Sequence, residues 1–217
     1  MRKVFLFLLF CSLSLSVFSQ KNSFQSEWAL GVNGGATFSG VRFNPRVPQS
    51  SLMQYSGGIV VRYISETHFG IQGELNYSQR GWKDLTDEIY LNEYHRSLDY
   101  LELPLMTHLY FTMGKKTRLV INIGPQVSYN LNEKKVLKLH GDDPEETSYY
   151  NLDLYQKFDY GIKACMGLEI RTGIGSFILD GRYYFGLSDI FNNTKADIFA
   201  ASANQVIGVN LSYLFRK

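Results

Sequence analysis

Cysteine, proline and long apolar runs are all scarce in this 217-residue chain. Cysteine occurs only at positions 11 and 165, and there are five prolines. So few cysteines exclude a scaffold held together by several disulfides, and no Pro- or Ser-rich linker divides the chain. After the first twenty residues, no apolar run is long enough for a transmembrane helix. These absences predict one closed domain that is held together by its own packing and hydrogen bonding.

The first nineteen residues have the features of a secretory signal. Arg2 and Lys3 form a basic start, an apolar run follows to about Phe18, and Ser19 offers a small residue before the expected cleavage. A run of about fifteen apolar residues is shorter than the roughly twenty that a membrane anchor needs. Phe10 is too large to precede the cysteine of a lipoprotein signal. We predict a signal peptide over residues 1–19 and a mature domain over 20–217.

The charge of the mature chain limits its partners. The whole chain has 22 Lys and Arg against 20 Asp and Glu, and the predicted signal carries two positive charges and no negative one. The mature chain is therefore formally neutral, which argues against nucleic acid as a partner. Cys165 is its single cysteine, and a lone thiol on a strand is expected to be a small packing residue.

Most of the mature chain consists of stretches in which every second residue is apolar. Between Phe69 and Tyr77, for example, apolar residues alternate with Gln72, Glu74 and Asn76. A period of two is typical of β-strands. The pattern predicts eight strands, at 28–39, 54–65, 69–80, 99–112, 118–131, 156–172, 176–188 and 203–215. Most exceed the five or six residues usual in soluble sheets and suit strands that cross a membrane.

The connections between these strands alternate in length. Short ones fall at 66–68, 113–117 and 173–175, and long ones fall at 40–53, 81–98, 132–155 and 189–202. Short periplasmic turns and long extracellular loops are typical of outer-membrane barrels. An even number of strands brings both termini to the periplasmic end. We therefore predict an all-β fold, an eight-stranded antiparallel up-and-down transmembrane barrel in the outer membrane, surrounded by its lipid.

Charged residues occupy the face opposite the apolar one. The predicted interior network comprises Arg62, Glu74, Arg80, Glu102, His108, Arg118, Asp159, Lys163, Glu169, Arg171, Asp180 and Arg182. An eight-stranded barrel has room inside for side chains and little else. An unpaired buried charge costs on the order of 3–5 kcal/mol, so these groups must pair. The mixed signs predict a structural plug, because a selective channel would show rings of one sign.

The patterns that would indicate catalysis or metal binding are weak. Thr107 is the only hydroxyl residue next to His108 in sequence, and the four histidines lack the spacing of metal ligands. The acidic stretch 142–146 lacks the alternating ligands and central glycine of a calcium loop. We predict a non-enzymatic protein without a cofactor or a metal ion.

The long loops contain the candidate recognition residues for a protein partner. They are Trp82, Tyr90, Tyr94, Asp142, Asp143, Glu145, Glu146, Tyr149, Tyr150 and Phe191. Loops that a rigid scaffold positions commonly carry binding, and exposed aromatic rings often mark contact surfaces. The alternative is that the rings pack the loops onto the barrel rim, and the sequence leaves both interpretations open.

One segment resembles a known family. Residues 100–105, with the sequence Tyr-Leu-Glu-Leu-Pro-Leu, are similar to the Tyr-Leu-Glu-hydrophobic-Pro-Leu segment of the PorT-like outer-membrane β-barrel family of Bacteroidetes. Segments 124–126, 159–161, 182–190 and 204–215 also resemble that family. The resemblance implies an outer-membrane barrel and, through the name of the family, a link to protein secretion.

The leading hypothesis is a membrane barrel with a structural or interaction role, which the resemblance extends to an accessory of a secretion apparatus. Three alternatives remain open at this stage. The first is a small channel, and the second is an enzyme that acts on lipid at the barrel wall. The third is a soluble, lipocalin-like barrel whose apolar face is turned inward to bind a ligand.

Overall fold

A closed β-barrel accounts for nearly all of the described structure. The computed structural model describes residues 24–84, 93–138, 152–192 and 199–216. The strands are β1 (Glu27–Asn44), β2 (Gln49–Glu66), β3 (Phe69–Asp84), β4 (Glu93–Thr112), β5 (Thr117–Lys138), β6 (Phe158–Arg171), β7 (Ser176–Asp189) and β8 (Ala201–Arg216). Each strand pairs antiparallel with the next, and β8 pairs with β1. The predicted fold class is confirmed.

The expected signal peptide over 1–19 lies outside the described residues and stays a prediction. Within the described ranges, no helix is long and apolar enough to cross a membrane.

The two ends of the barrel differ in their connections. Three short connections, at 67–68, 113–116 and 172–175, lie at the same end as the start of β1 and the end of β8. We call this the turn end and the opposite end the loop end. These positions agree with the short connections that were predicted from the sequence.

The barrel exposes its apolar residues on the outside. Leu30, Leu75, Leu105, Leu179 and Leu211 are each more than two-fifths exposed. Exposed aromatic residues form one belt near the turn end, at Trp28, Phe69, Phe111, Phe177 and Phe215, and another towards the loop end, at Phe38, Tyr55, Tyr77, Tyr129 and Phe158. Such belts lie at the two interfaces of a bilayer. The lipocalin-like alternative is wrong because it requires the apolar face to point inward.

Several strands continue past their predicted ends at the loop end. The connection expected at 40–53 is only 45–48, since β1 reaches Asn44 and β2 begins at Gln49. The connections expected at 81–98 and 132–155 likewise begin or end inside strands β3, β4 and β5. The physical reason is that the alternation reverses its phase there. Val41 and Phe43 are buried while Arg42 is exposed, as expected for a strand that has left lipid for water.

The walls of the barrel have unequal heights at the loop end. β5 pairs with β6 only as far as Tyr129 and Phe158, but its pairing with β4 continues to Lys138. Between β1 and β2 the backbone pairing stops at Ser39 and Leu52. Beyond it, the Gln49 side chain accepts from the backbone N–H of Val41 and donates to its carbonyl. The pair of strands β4 and β5, which we call the tall wall, therefore rises beyond β6.

Pro104 lies in the middle of β4, a position where proline usually marks a bulge or an edge strand. The register between β3 and β4 is the same on both sides of it, with Gly73 opposite Leu105 and Asn76 opposite Glu102. Pro104 therefore marks neither a bulge nor an edge. The ladder is interrupted locally without a shift, because proline only removes one donor.

Candidate functional site

The interior of the barrel consists of three layers along its axis. At the turn end is an apolar group that we call the turn-end cluster, made of Ala29, Val60, Ile64, Tyr110, Val120, Ile178 and Leu214. The middle is the ionic layer, made of Arg62, Glu74, Arg80, Glu102, Asp159, Lys163, Glu169, Asp180 and Arg182. At the loop end is the aromatic cap, made of Val41, Phe43, Trp82, Tyr94, Leu98, Tyr100, Ile190, Phe191 and Phe199.

Arg80 lies at the centre of one group of ion pairs, in the part of the ionic layer that is nearest to the aromatic cap. Its side chain is fully buried, and its two terminal nitrogens lie 2.7 Å from carboxylate oxygens of Glu102 and Asp159. The Tyr184 hydroxyl donates to the same Asp159 carboxylate at 2.9 Å, and the Tyr184 ring lies 4.3 Å from the guanidinium carbon. The nitrogens of the Arg80 guanidinium are thus paired with carboxylates, and its face packs against an aromatic ring.

A second group of ion pairs forms around Arg182. Its Nη1 lies 2.9 Å from Oε2 of Glu74, and its Nε lies 2.6 Å from Oδ2 of Asp180. The Lys163 ammonium lies 3.7 Å from Glu74 and 3.5 Å from Glu102. Lys163 therefore links the Arg182 group to the Arg80 group in one network.

The same network extends towards the turn end. Gln72 donates to Glu74 at 2.8 Å and accepts from Nε of Arg62 at 2.9 Å. Nη1 of Arg62 lies 3.4 Å from Glu169. Four of the predicted cations and five of the predicted carboxylates are thus joined through short contacts, which is the condition for burying them together.

The remaining three predicted interior residues lie nearer the turn end. Arg171 pairs with Glu27 at 2.5 Å. The Arg118 guanidinium lies 4.2 Å from the centre of the Tyr110 ring. Nδ1 of His108 lies 2.7 Å from Oδ1 of Asn122. These groups adjoin the ionic layer and carry no arrangement of a nucleophile and a base.

Little free space remains in the ionic layer. A cavity of about 30 Å³ lies beside Arg80, Glu102, Gln126, Lys163 and Arg182. This is room for only a few water molecules. The turn-end cluster lies on one side of the ionic layer and the aromatic cap lies on the other.

The aromatic cap is a hydrophobic core above the ionic layer. Phe43 contacts Trp82 edge-to-face with ring centres 5.5 Å apart and lies 4.6 Å from Phe199. Phe191 lies 6.1 Å from Trp82 in a T-shaped arrangement. Because β1, β3 and the connection after β7 all contribute, the cap joins segments far apart in sequence.

Arg96 ties several segments of the cap together. Its buried guanidinium lies 2.6 Å from Glu133 of β5 and donates to the carbonyl of Leu152 at 2.9 Å. The ring centres of Phe191 and Trp82 lie 5.0 and 5.7 Å from it. The connection before β6 and the connection after β7 are therefore both held to the tall wall by one cation.

The candidate recognition residues have different outcomes. Trp82, Tyr94 and Phe191 are buried in the aromatic cap, with exposed fractions of 2 % or less. For these three rings the expectation of an exposed contact surface is wrong, because each points into the cap. Tyr90, Asp142, Asp143, Glu145, Glu146, Tyr149 and Tyr150 lie outside the described residues.

The pairing of Arg96 with Glu133 and the aromatic cap as a whole were not predicted from the sequence, because both residues fall in connections that the alternation predicts to be loops. The signal was present: Tyr94, Arg96 and Leu98 alternate with outward His95 and Ser97. The period of two continues through this part of β4, although the apolar residues change to the inward face. Following the period alone would therefore have predicted the full length of the strand.

Metal chemistry has little support among the residues that the structure covers. In those ranges, no three His, Cys, Asp or Glu side chains are grouped so that they could hold an ion. Cys165 is buried, and its sulfur lies 3.9 Å from that of Met106. This contact fits the predicted packing role of the thiol.

Two solved structures are reported among those that are similar to this chain. The crystal structure of Ail, the attachment invasion locus protein of Yersinia pestis, is 12 % identical, with a TM-score of 0.42 over 87 % of this chain and 98 % of that one. Neisserial surface protein A is 10 % identical, with a TM-score of 0.41 over 88 % and 99 %. Comparison with curated protein sequences gave no match.

A family model matches most of the chain. The description of the family is outer membrane protein beta-barrel domain, and the match covers residues 18–192. This range includes strands β1 to β7 and the whole ionic layer. The chain belongs to this family of outer-membrane β-barrel proteins.

Proposed function

We propose that this protein is a non-enzymatic outer-membrane barrel that conducts no solute and presents its loop end to a protein partner. The observation that carries the first part is the ionic layer, sealed between two apolar clusters. An ion that crossed it would have to displace paired side chains such as Arg80 and Glu102. Replacing those pairs has a large energetic cost.

Conductance tests the closed interior directly. Purified protein in planar bilayers is expected to give no steady current, because mixed charges fill the lumen. A large, stable and ion-selective conductance would reject the closed barrel in favour of the channel alternative. Refolded protein should also show heat-modifiable migration on gels, which verifies that the bilayers contain folded barrels.

The loop end supports an interaction role. The tall wall and the cap form a rigid platform, and Arg96 holds the connection before β6 against it. On this connection, Asp153 and Tyr155 are exposed, the latter by 62 %. Side chains held on a rigid scaffold lose less entropy when a partner binds. We therefore locate recognition in the connection between β5 and β6 rather than in the buried rings.

Replacing residues 138–150 with a short Gly/Ser turn tests this location. The barrel should still fold and stay heat-modifiable, while association with a partner in a pull-down from detergent-solubilised outer membrane is lost. A matched replacement in the 113–116 turn should leave the association intact. If the partner survives the first replacement, recognition lies elsewhere.

The sequence supports three further features that we propose for this protein, namely its signal peptide, the position of its termini and its role in secretion. The signal over 1–19 is removed on export, both termini face the periplasm, and the PorT-like segments indicate an accessory role in protein secretion. An epitope inserted after Arg46 should be reached by antibody on intact cells, whereas a C-terminal epitope should not.

Deletion of the gene should reduce secreted protein without changing outer-membrane permeability, and normal secretion in the deletion strain would reject the accessory role.

A further inference from the structure

Arg42 is an exposed cation on the outer wall that lies against an aromatic ring. It faces outward on β1, four residues beyond Phe38 of the aromatic belt towards the loop end. Its guanidinium carbon lies 4.4 Å from the centre of the Phe185 ring on β7. The side chain therefore crosses β8, which pairs with β1 on one side and with β7 on the other. A charge held against the wall just beyond the belt lies at the level where lipid headgroups begin.

The residue opposite Arg42 on β8 is small. Arg42 pairs with Ala203, so the two residues share the outward face. Ala203 is nevertheless only 3 % exposed, as expected where a long side chain lies across a small one. The register thus directs Arg42 over β8 towards Phe185.

Two further polar groups lie beside the Phe185 ring. Gln205 is opposite Phe185 in the pairing of β7 with β8, and its Nε2 donates to the Tyr183 hydroxyl at 3.0 Å. Tyr183 is two residues before Phe185, on the same outward face. Since the Tyr183 oxygen accepts from Gln205, its own O–H proton is available for a second partner. A cation and a hydroxyl donor therefore occupy neighbouring positions on an otherwise apolar wall.

The stacked guanidinium has a geometry that suits phosphate. The ring covers one face of the planar group, and the N–H donors of arginine point outward in that plane. Arginine binds phosphate through two parallel hydrogen bonds in this way. The nearest acidic residue in the register is Asp189, opposite Ala203. Its Oδ1 accepts from the backbone N–H of Ser202 at 2.6 Å, so this carboxylate oxygen is engaged away from the ring.

We propose that Arg42, Phe185 and Tyr183 form a site for the phosphate of a lipid headgroup in the leaflet around the loop end. The phosphate accepts from the guanidinium and from the Tyr183 hydroxyl, while the Phe185 ring holds the guanidinium in place. The acyl chains lie along the apolar wall beside Phe38 and Ile207, which pair with each other and are both exposed.

The leaflet is the outer one if the loop end faces outward, and to that extent the inference rests on the proposed function. Binding in detergent does not depend on orientation, and the site is separate from the connection between β5 and β6. Failure of the lipid test is therefore distinguishable from failure of the epitope or pull-down test.

The test uses the full mature chain, refolded in detergent, with bound lipid measured by intact-complex mass spectrometry. The probes are lipid A and the same lipid after removal of its phosphates. Arg42→Gln removes the charge, and Arg46→Gln is the matched control, because Arg46 is an exposed arginine on the connection between β1 and β2. Tyr183→Phe removes the hydroxyl alone, and Tyr129→Phe makes the same change elsewhere on the belt.

We expect the wild type and both controls to bind phosphorylated lipid A equally well. Arg42→Gln should lower that affinity by about tenfold and Tyr183→Phe by about threefold, as for a charge-assisted and a neutral hydrogen bond. The dephosphorylated lipid should bind the wild type and Arg42→Gln equally.

Three results would overturn the proposal. Equal loss in Arg42→Gln and Arg46→Gln would show that binding follows general charge. Equal affinity of the wild type for the two lipids would show that binding follows the acyl chains. Inorganic phosphate that competes with lipid A at equal concentration would show that the site holds free phosphate.

Arg42→Lys separates the stacked arrangement from charge alone. Lysine keeps the positive charge but lacks the planar group that stacks on a ring and binds phosphate through two hydrogen bonds. The affinity for lipid A should therefore fall nearly as far as in Arg42→Gln. An affinity equal to that of the wild type would show that Phe185 does not position the cation, and would reject the site.

Discussion

The ionic layer and the aromatic cap lie inside the same barrel and on the same strands, yet they are built from opposite chemistry. On β3, Glu74 and Arg80 face inward in the ionic layer, and Trp82, two residues further on, faces inward in the cap. On the outside the change is reversed, from Leu75 to Lys83. The difference shows that the surroundings of the barrel set the chemistry of its interior. Where lipid surrounds the barrel, the apolar side chains face outward. Where water surrounds it, the hydrophobic effect favours apolar side chains that face inward.

The two regions also differ in what holds them together. In the ionic layer, each charge depends on a specific partner of opposite sign, as Arg80 does on Glu102 and Asp159. In the cap, many apolar contacts share the stabilisation, and no single one is required. Removing one side chain should therefore affect the first region through an unpaired charge and the second through a cavity.

The largest effect is expected in the ionic layer. Arg80→Ala removes the cation that pairs with the buried carboxylate of Asp159 and the nearer of the two cations that pair with Glu102. We expect a loss of about 3–5 kcal/mol in the free energy of unfolding, measured by urea titration in lipid vesicles. Arg42→Ala is the control, because Arg42 is exposed and its guanidinium lies 4.4 Å from the centre of the Phe185 ring. Similar losses in both variants would show that the layer is not a connected network.

The next effect concerns the outer face. Leu75→Arg places a charge in lipid near the middle of β3, and a loss of about 2–4 kcal/mol is expected in the same titration. Leu131→Arg makes the same change beyond the outer aromatic belt and should cost only about 0–1 kcal/mol. Both leucines are exposed on the barrel surface. If the two costs are equal, position 131 lies within the bilayer and the cap begins higher on the strands.

A smaller effect on the barrel is expected from the cap. Trp82→Ala removes the largest buried side chain, but the cap can open without unfolding the membrane-level strands. We expect a loss of about 1 kcal/mol or less for the whole barrel and a large gain in proteolysis at the loop end. The exposed Trp28, changed to alanine, should give no such cleavage. Complete loss of heat-modifiability in Trp82→Ala would show that cap and barrel fold as one unit.

The smallest effect is expected on conductance. A double variant, Trp82→Ala with Phe191→Ala, opens the cap but leaves the ionic layer paired. Its conductance in planar bilayers should equal that of the wild type, because the cavity beside Lys163 is only about 30 Å³. A steady current in this variant alone would assign the seal to the cap instead.

The comparison also explains which predictions succeeded. The eight strands and the three short turns follow from local alternation and chain reversal, and the structure confirms them. The loop-end bounds failed because Val41, Phe43, Trp82 and Tyr94 were judged by the pattern of lipid-embedded strands. Their alternation continues, but the apolar residues lie on the inward face, as in a strand that is surrounded by water.

The sequence by itself determined the strand number, the antiparallel meander and the side of each strand that faces lipid. These properties depend on a period of two and on neighbouring residues, which a single chain displays directly. Only the tertiary structure decided which charges pair across the lumen, such as Lys163 of β6 with Glu74 of β3 and Glu102 of β4. It also decided that distant aromatic residues close the loop end. The physical reason is that closure of the barrel fixes the tilt and the stagger of its strands, and the stagger determines which distant side chains meet.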